Sequence, residues 1–153
     1  MISKFRGDYY FLSNMYPCDI NIEGYIFKSA ESLFQALRAC TDEDFKKFCG
    51  MNGYDAKRLG DGIVSRADWD DIKLDAMRFA VEEKFKQNPK LAEKLEQTGK
   101  EEIREGNLWN DSFWGVTGTG GRNHFGKILM GVREKLRHES MSISIEGNQL
   151  KFV

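Results

Sequence analysis

Two apolar stripes at helical spacing do most to limit how this chain can fold. Leu74, Met77, Val81 and Phe85 recur at intervals of three and four within residues 68–87. That spacing puts them on one face of the helix expected to be the longest in the chain. Phe125, Ile128, Leu129, Val132 and Leu136 repeat the pattern over residues 123–138 and predict a second long helix. Faces of that width must be covered, so the architecture has to be mostly helical.

Shorter elements fill the rest. Residues 1–28 read as extended and turn structure, with aromatics at Tyr9, Tyr10 and Phe11, then Pro17, then Ile20, Ile22 and Ile26 spaced by two around Gly24. Ser29 fits the N-cap of a helix that turns Leu33, Phe34 and Leu37 to one side. Thr41 opens a second helix with Phe45 and Phe48 inward, ending near Gly50, and a third spans residues 54–59 and stops at Gly60. Asp68 and the acids after it suit the capped start of the long helix. Asn88-Pro89 reads as a cap followed by proline at a first helical position, with Gly99 closing that helix. A short strand is expected through Ile103. The tail alternates at Met141, Ile143 and Ile145, then Gly147-Asn148, then Leu150 and Phe152, which predicts a terminal β-hairpin. The expected fold class is α+β, mainly α-helical: one compact domain over residues 1–137, with few short strands and a hairpin extension over residues 138–153 packed on it. A length of 153 residues suits one domain with a proper core.

Composition narrows function by exclusion. With 23 Lys and Arg against 24 Asp and Glu, no general electrostatic footprint for nucleic acid or a membrane surface exists. That balance leaves room for a ligand carrying a single phosphate. Cys18, Cys40 and Cys49 are odd in number and lack CxxC spacing, which points to reduced thiols rather than a disulfide framework or zinc site. The first residues contain no apolar signal region, and no stretch is long enough for a span. The expectation is a soluble, cytoplasmic protein.

Residues 107–116 follow neither period. They hold Trp109, Phe113 and Trp114 around Asp111, and the run Thr117-Gly118-Thr119-Gly120-Gly121-Arg122-Asn123 comes next. Aromatics at that density suit a loop that stacks on a flat ligand. An equally economical reading makes both tryptophans core residues and Asp111 a turn cap. The glycine run opens the last helix, where backbone N–H groups and Arg122 could receive a phosphate; a plain lid or turn explains it as well. It is neither a P-loop nor a dinucleotide fingerprint.

Glu31 and Gln35 lie four residues apart, so a carboxylate and a carboxamide leave one helix face together. Such a pair can orient a sugar diol or a water, although Glu31 in a first turn also suits the helix dipole alone. Asp111 supplies a second acid and Glu105 a third near the same loop. Two separated carboxylates are what glycoside hydrolysis uses, one to stabilise an oxocarbenium-like sugar or activate water. Trp109 and Trp114 could stack on a base or ribose face. His124 and His138, the two histidines, lie in one helix and assemble neither a metal cluster nor a Ser/His/Asp arrangement, so metal-dependent chemistry is not expected.

Taken in order, the motifs resemble the NADAR superfamily, and within it the YbiA-like riboflavin-intermediate N-glycosidases. The matching runs are Phe11-Leu12-Ser13-Asn14, Ser29-Ala30-Glu31-Ser32-Leu33-Phe34-Gln35-Ala36, Ala56-Lys57-Arg58-Leu59-Gly60 and Asp68-Trp69-Asp70. They continue with Lys84-Phe85, Glu105-Gly106-Asn107, Asp111-Ser112-Phe113-Trp114-Gly115 and Gly121-Arg122-Asn123-His124-Phe125-Gly126. The resemblance implies a compact, largely helical α+β domain that hydrolyses an N-glycosidic bond to ribose with no metal or organic cofactor. In that branch the substrates are 5-phosphoribosyl-amino-pyrimidine intermediates of riboflavin synthesis, giving ribose 5-phosphate. Other members look like hydrolases that remove ADP-ribose from guanine in DNA as antitoxins, so ADP-ribosylated single-stranded DNA is a second class of partner. A non-catalytic module binding NAD-derived or ribose-phosphate ligands is the third reading.

Carried over residue by residue, the resemblance implies Glu31 and Asp111 as catalytic acids. It implies Asn14, Gln35, Lys57, Arg58, Trp109, Trp114, Gly115, Arg122 and Asn123 as substrate-binding positions. The chain departs from the pattern at Asp61, where many relatives place arginine after the Gly60 equivalent. If that arginine bound phosphate, Arg58 or Arg66 would have to substitute.

Overall fold

Side-chain caps start the early helices. In the computed structural model, which describes residues 1–118 and 120–147, Ser29 accepts a hydrogen bond from Ser32 N and opens α1 (Ala30–Ala36). Thr41 accepts from Asp44 N to open α2 (Asp42–Lys47), and Asn52 accepts from Asp55 N to open α3 (Gly53–Gly62). Each cap satisfies an N–H that the first turn leaves without a partner, worth about 1 kcal/mol.

The later helices depart from that scheme. Asp68 makes no capping bond at the start of α4 (Trp69–Gln87), because both its carboxylate oxygens are held by Arg66 at 2.6 and 3.0 Å. Asn88 does not cap α5 (Pro89–Gln97) either. Its Nδ2 donates backwards to Lys84 O at 2.8 Å and to Asp19 O at 3.1 Å, closing the end of α4. Pro89, which lacks an N–H, still opens α5 as read from the sequence.

At the N-terminal side, within the segment expected to be extended and turn structure, a 3-10 helix (Gly7–Leu12) carries Tyr9, Tyr10 and Phe11. β1 (Ile20–Ile22) then pairs antiparallel with β2 (Tyr25–Phe27), Ile20 opposite Phe27, through the two-residue turn Glu23-Gly24. Both turn residues have positive φ, the geometry that matches strand twist in a tight hairpin. The strand expected at Ile103 reduces to one parallel bridge with Ile2.

The last helix, α6 (His124–Gly147), has 24 residues against 19 in α4, so α4 is not the longest helix. It also corrects the expected hairpin extension. Residues 141–147 are helical where alternation predicted a first strand, and no break falls at residue 138. Once some four turns are formed, adding residues costs little, and a five-residue alternation does not outweigh that. The expected second strand at Leu150 and Phe152 lies outside the described residues.

The core forms where α1 meets α3 and α4, and where α4 meets α6. Phe27, Leu33, Phe48, Phe85, Leu95, Ile103 and Leu129 are fully enclosed. Each such side chain stabilises the fold by roughly 1.5–3 kcal/mol. All seven residues of α1 are buried, including Glu31, Ser32 and Gln35. No described helix is long and apolar enough to cross a membrane.

Candidate active site

A short helix buried on every side is expected to be apolar all round. α1 is not, and its polar groups must therefore be hydrogen-bonded or held for another purpose. Ser32 Oγ is explained by a bond to Met51 O at 2.7 Å. Glu31 is different: at 8% exposure it lines a cleft of about 1510 Å³. Asn14 Nδ2 donates to its Oε2 at 2.7 Å and Gln35 Nε2 to its Oε1 at 2.9 Å. Both oxygens thus accept, and the carboxylate is fixed from two sides.

Each partner is itself held. Gln35 Oε1 accepts from Arg38 Nη1 at 3.2 Å, while Arg38 Nε donates to Ser65 Oγ at 2.9 Å. Asn14 N-terminal to this helix is positioned through Lys84, whose Nζ donates to Phe11 O at 2.6 Å and Ser13 O at 2.9 Å. Burial of that ammonium lowers its pKa to about 8, against a smaller raising influence from Cys18. Asn14 Oδ1 is buried without a hydrogen-bond partner among the described residues, an acceptor in the cleft wall with its lone pairs unused.

The far wall is the loop after Ile103. Asn107 clamps it by accepting from Asp111 N at 2.9 Å and donating to Asp111 O at 2.8 Å. Asp111 Oδ1 in turn accepts from Phe113 N at 3.1 Å and Trp114 N at 3.0 Å. Asp111 therefore lines the cleft and also forms the turn, so the cap reading and the site reading both describe it. Trp114 packs edge-on against Phe34, with ring centroids 5.7 Å apart, and Phe34 meets Trp69 at 5.1 Å. Trp109 is 64% exposed and stands at the mouth with Leu108 and Tyr54.

Glu105 completes the acidic lining. Its backbone is pinned: Asn123 Oδ1 accepts from Glu105 N at 3.0 Å, and Val116 N donates to Glu105 O at 2.7 Å. Desolvation, then the charges of Asp111 and Glu31, push the carboxyl up to about 7, opposed by Lys57.

Of the residues singled out in the sequence, Glu31, Asp111, Asn14, Gln35, Lys57, Trp109 and Trp114 gather on this cleft. Four do not. Arg58 faces away on α3 and pairs with Asp55 at 3.1 Å. Arg122 is exposed outside the lining, although Thr117 and Gly118 at the start of the glycine run do line the cleft. Gly115 is buried because any Cβ there would overlap Glu105 O. Asn123, buried at φ 52°, spends its amide on Glu105 N and Ile103 O. The last two lie against the Glu105 backbone. Arg66, the other suggested stand-in for the missing arginine, is occupied by Asp68.

Cations that do line the cleft are Lys57, Arg38, Lys73, Arg104 and, on the N-terminal segment, Lys4 and Arg6. Asp61 lies 3.9 Å from Arg38, so the departing residue pairs with a cleft arginine. Arg38 had a signal in the sequence: positions 31, 35 and 38 share one helix face at spacings of four and three. Lys73 is stacked over Phe113 at 4.5 Å, and Lys84, part of the Lys84-Phe85 run, supports the site from behind rather than lining the cleft. Among the described residues, no group of three or more His, Cys, Asp or Glu is disposed to hold a metal ion.

The NADAR domain family matches residues 3–137 of the chain. A riboflavin biosynthesis protein of Vibrio vulnificus is 40% identical over 134 residues, which is 85% of this chain and 36% of that protein. An N-glycosidase of Nostoc punctiforme is 35% identical over 133 residues, 82% of this chain and 85% of its own length. The solution structure of Escherichia coli YbiA superposes with a TM-score of 0.80 at 28% identity, covering 92% of this chain and 88% of that one.

Proposed function

The chain belongs to the NADAR domain family, and on that premise we propose that it is an N-glycosidase, hydrolysing the bond between ribose C1′ and a heterocycle nitrogen. The observation that carries this reading is the Glu31 carboxylate, buried in the cleft wall and held from both sides by Asn14 and Gln35. A fixed anion in a partly desolvated wall acts most strongly on charge that develops in the transition state. Loss of the heterocycle leaves positive charge on C1′ and the ring oxygen, which is the charge such a carboxylate stabilises. Glu31 can also take the proton of the attacking water as it adds to C1′. Trp114, backed by Phe34, offers a flat wall to the heterocycle, with Asp111 beside it. Lys57, with no ion pair among the described residues, is the first cleft cation for a phosphate, while Arg38 and Lys73 would have to share with Asp61 and Asp70.

The substrate we propose is a 5-phosphoribosyl-amino-pyrimidine, released as ribose 5-phosphate and the free amine. It is supported by the Vibrio relative named for riboflavin biosynthesis, of whose length this chain spans 36%. A second reading, ADP-ribosyl-guanine in single-stranded DNA, is favoured by the size of the cleft. Its 1510 Å³ exceeds the roughly 300–1,000 Å³ of most small-ligand pockets, and exposed Trp109 and Tyr54 stand at the mouth.

Both substrates are to be offered in parallel, with release of ribose 5-phosphate and of ADP-ribose measured. Turnover of the pyrimidine supports the first reading, and turnover of the DNA alone moves the substrate to the second. Saturable binding with neither product released would overturn the enzyme reading in favour of a binding module.

A further inference from the structure

Departure of an amine from C1′ needs a proton on nitrogen, and the Glu31 and Asp111 carboxylates already serve as acceptors for N–H groups. Both oxygens of Glu31 accept N–H donors, and Asp111 Oδ1 accepts two. Glu105 lines the same cleft, is half-buried, and its carboxyl takes no hydrogen bond among the described residues. The backbone on both sides is locked, by Asn123 at Glu105 N, by Val116 at Glu105 O, and by a Gly115 that leaves no room to shift.

Resting on the N-glycosidase reading, we propose that Glu105 is the general acid that protonates the departing nitrogen. Its O–H proton passes to the nitrogen while the C1′–N bonding pair goes the same way, leaving a neutral amine and the Glu105 carboxylate. Water adds to C1′, its proton passes to Glu31, and solvent exchange returns one proton to Glu105 and removes one from Glu31. One water is consumed and one ribose hydroxyl is formed.

The surroundings favour an acid held protonated near neutrality. From α1, Glu31 faces the carboxyl, from the 107–116 loop Asp111, and from α3 Lys57; the first two raise its pKa and the last lowers it. Lys4 and Arg6 on the N-terminal segment and Arg104, which pairs with Glu102, line the same cleft. A carboxyl raised by burial and neighbouring acids is the kind of group that serves as a general acid near neutral pH. Asn123 is a positioning residue in this scheme, since its amide fixes the backbone that aims Glu105.

The test is the pH dependence of kcat/KM for wild type and Glu105→Gln on the phosphoribosyl-amino-pyrimidine. Wild type should lose activity as pH rises through about 7. Glu105→Gln should lower kcat/KM by about 10²–10⁴-fold and abolish that limb. A β-ribosyl-nicotinamide 5-phosphate gives a control, because its pyridinium nitrogen departs neutral and takes no proton. Glu105→Gln should retain its rate on that compound to within about tenfold, well short of the loss expected for a proton-requiring group. A variant with wild-type rate and an unchanged limb overturns the proposal, as does equal loss on both compounds, which would make Glu105 a scaffold residue. Failure of wild type to release ribose 5-phosphate from either compound at pH 6 would instead remove the N-glycosidase reading and this assignment with it.

Discussion

Gln35 donates to Glu31 at 2.9 Å across one turn of a helix that is buried on every side. The carboxamide can do this because its oxygen is occupied by Arg38, which fixes its orientation. Gln35→Glu removes the donor and sets a second acid against Glu31. We expect kcat to fall at least tenfold and stability to drop by about 1–3 kcal/mol, the cost of an unmet buried polar group. Steady-state kinetics and urea unfolding check this; unchanged kcat would show that the pair is not needed.

Gly60 sits under the same amide. A Cβ there would overlap Gln35 Oε1, the flexible end of a side chain rather than backbone. Gly60→Ala should therefore leave α3 folded, because alanine favours helix by about 1 kcal/mol over glycine, while displacing Gln35 from Glu31. The expected signature is reduced kcat with a stability loss no larger than that of Gln35→Glu, since alanine's helix preference offsets about 1 kcal/mol. A larger stability loss would mean the overlap is relieved by moving α3.

Asp111 has two roles that substitutions can separate. Asparagine keeps an oxygen for Phe113 N and Trp114 N, whereas alanine does not. Asp111→Ala should cost about 1–2 kcal/mol, like the loss of a helix cap. Asp111→Asn should cost less than half of that. If Asp111→Asn unfolds as wild type but loses turnover, the charge matters; if it keeps full turnover, Asp111 is a turn residue alone.

Lys84 links stability to pH. Its folded pKa of about 8 lies below the ordinary 10.5, because burial disfavours the charged form. Between these values the unfolded chain holds more protons, so this group's contribution is absent below pH 8, rises through the window, and is complete above 10.5. The stability difference between wild type and Lys84→Met should grow by roughly 3 kcal/mol from pH 8 to 10.5. Urea unfolding at both ends measures it, and a flat difference would mean Lys84 titrates normally.

Local chemistry was readable from the sequence; chemistry at a distance was not. The caps at Ser29 and Thr41, the apolar stripes, and the Glu31–Gln35 pair rest on neighbours three or four residues apart. Arg38 shared that spacing and could have been included. Lys84 reaches Phe11 O across 73 residues, and Asn123 reaches Glu105 N across 18, which no periodicity announces. Motif position marks Arg58 and Arg122 in the sequence, but it does not say which way either side chain points; Arg58 pairs with Asp55 and Arg122 is exposed outside the cleft lining. The tail misled because strand alternation and helix continuation compete there, and the preceding helix decides.

The central claim is that Glu31 acts on the sugar in the transition state, and Glu31→Gln tests it most directly. The measurement is single-turnover release of ribose 5-phosphate by this variant, with product affinity determined alongside. The account predicts a loss of about 10³-fold or more, some 4 kcal/mol of barrier, with ribose 5-phosphate still bound within a few-fold of wild type. Turnover within tenfold of wild type by a folded Glu31→Gln protein would contradict it.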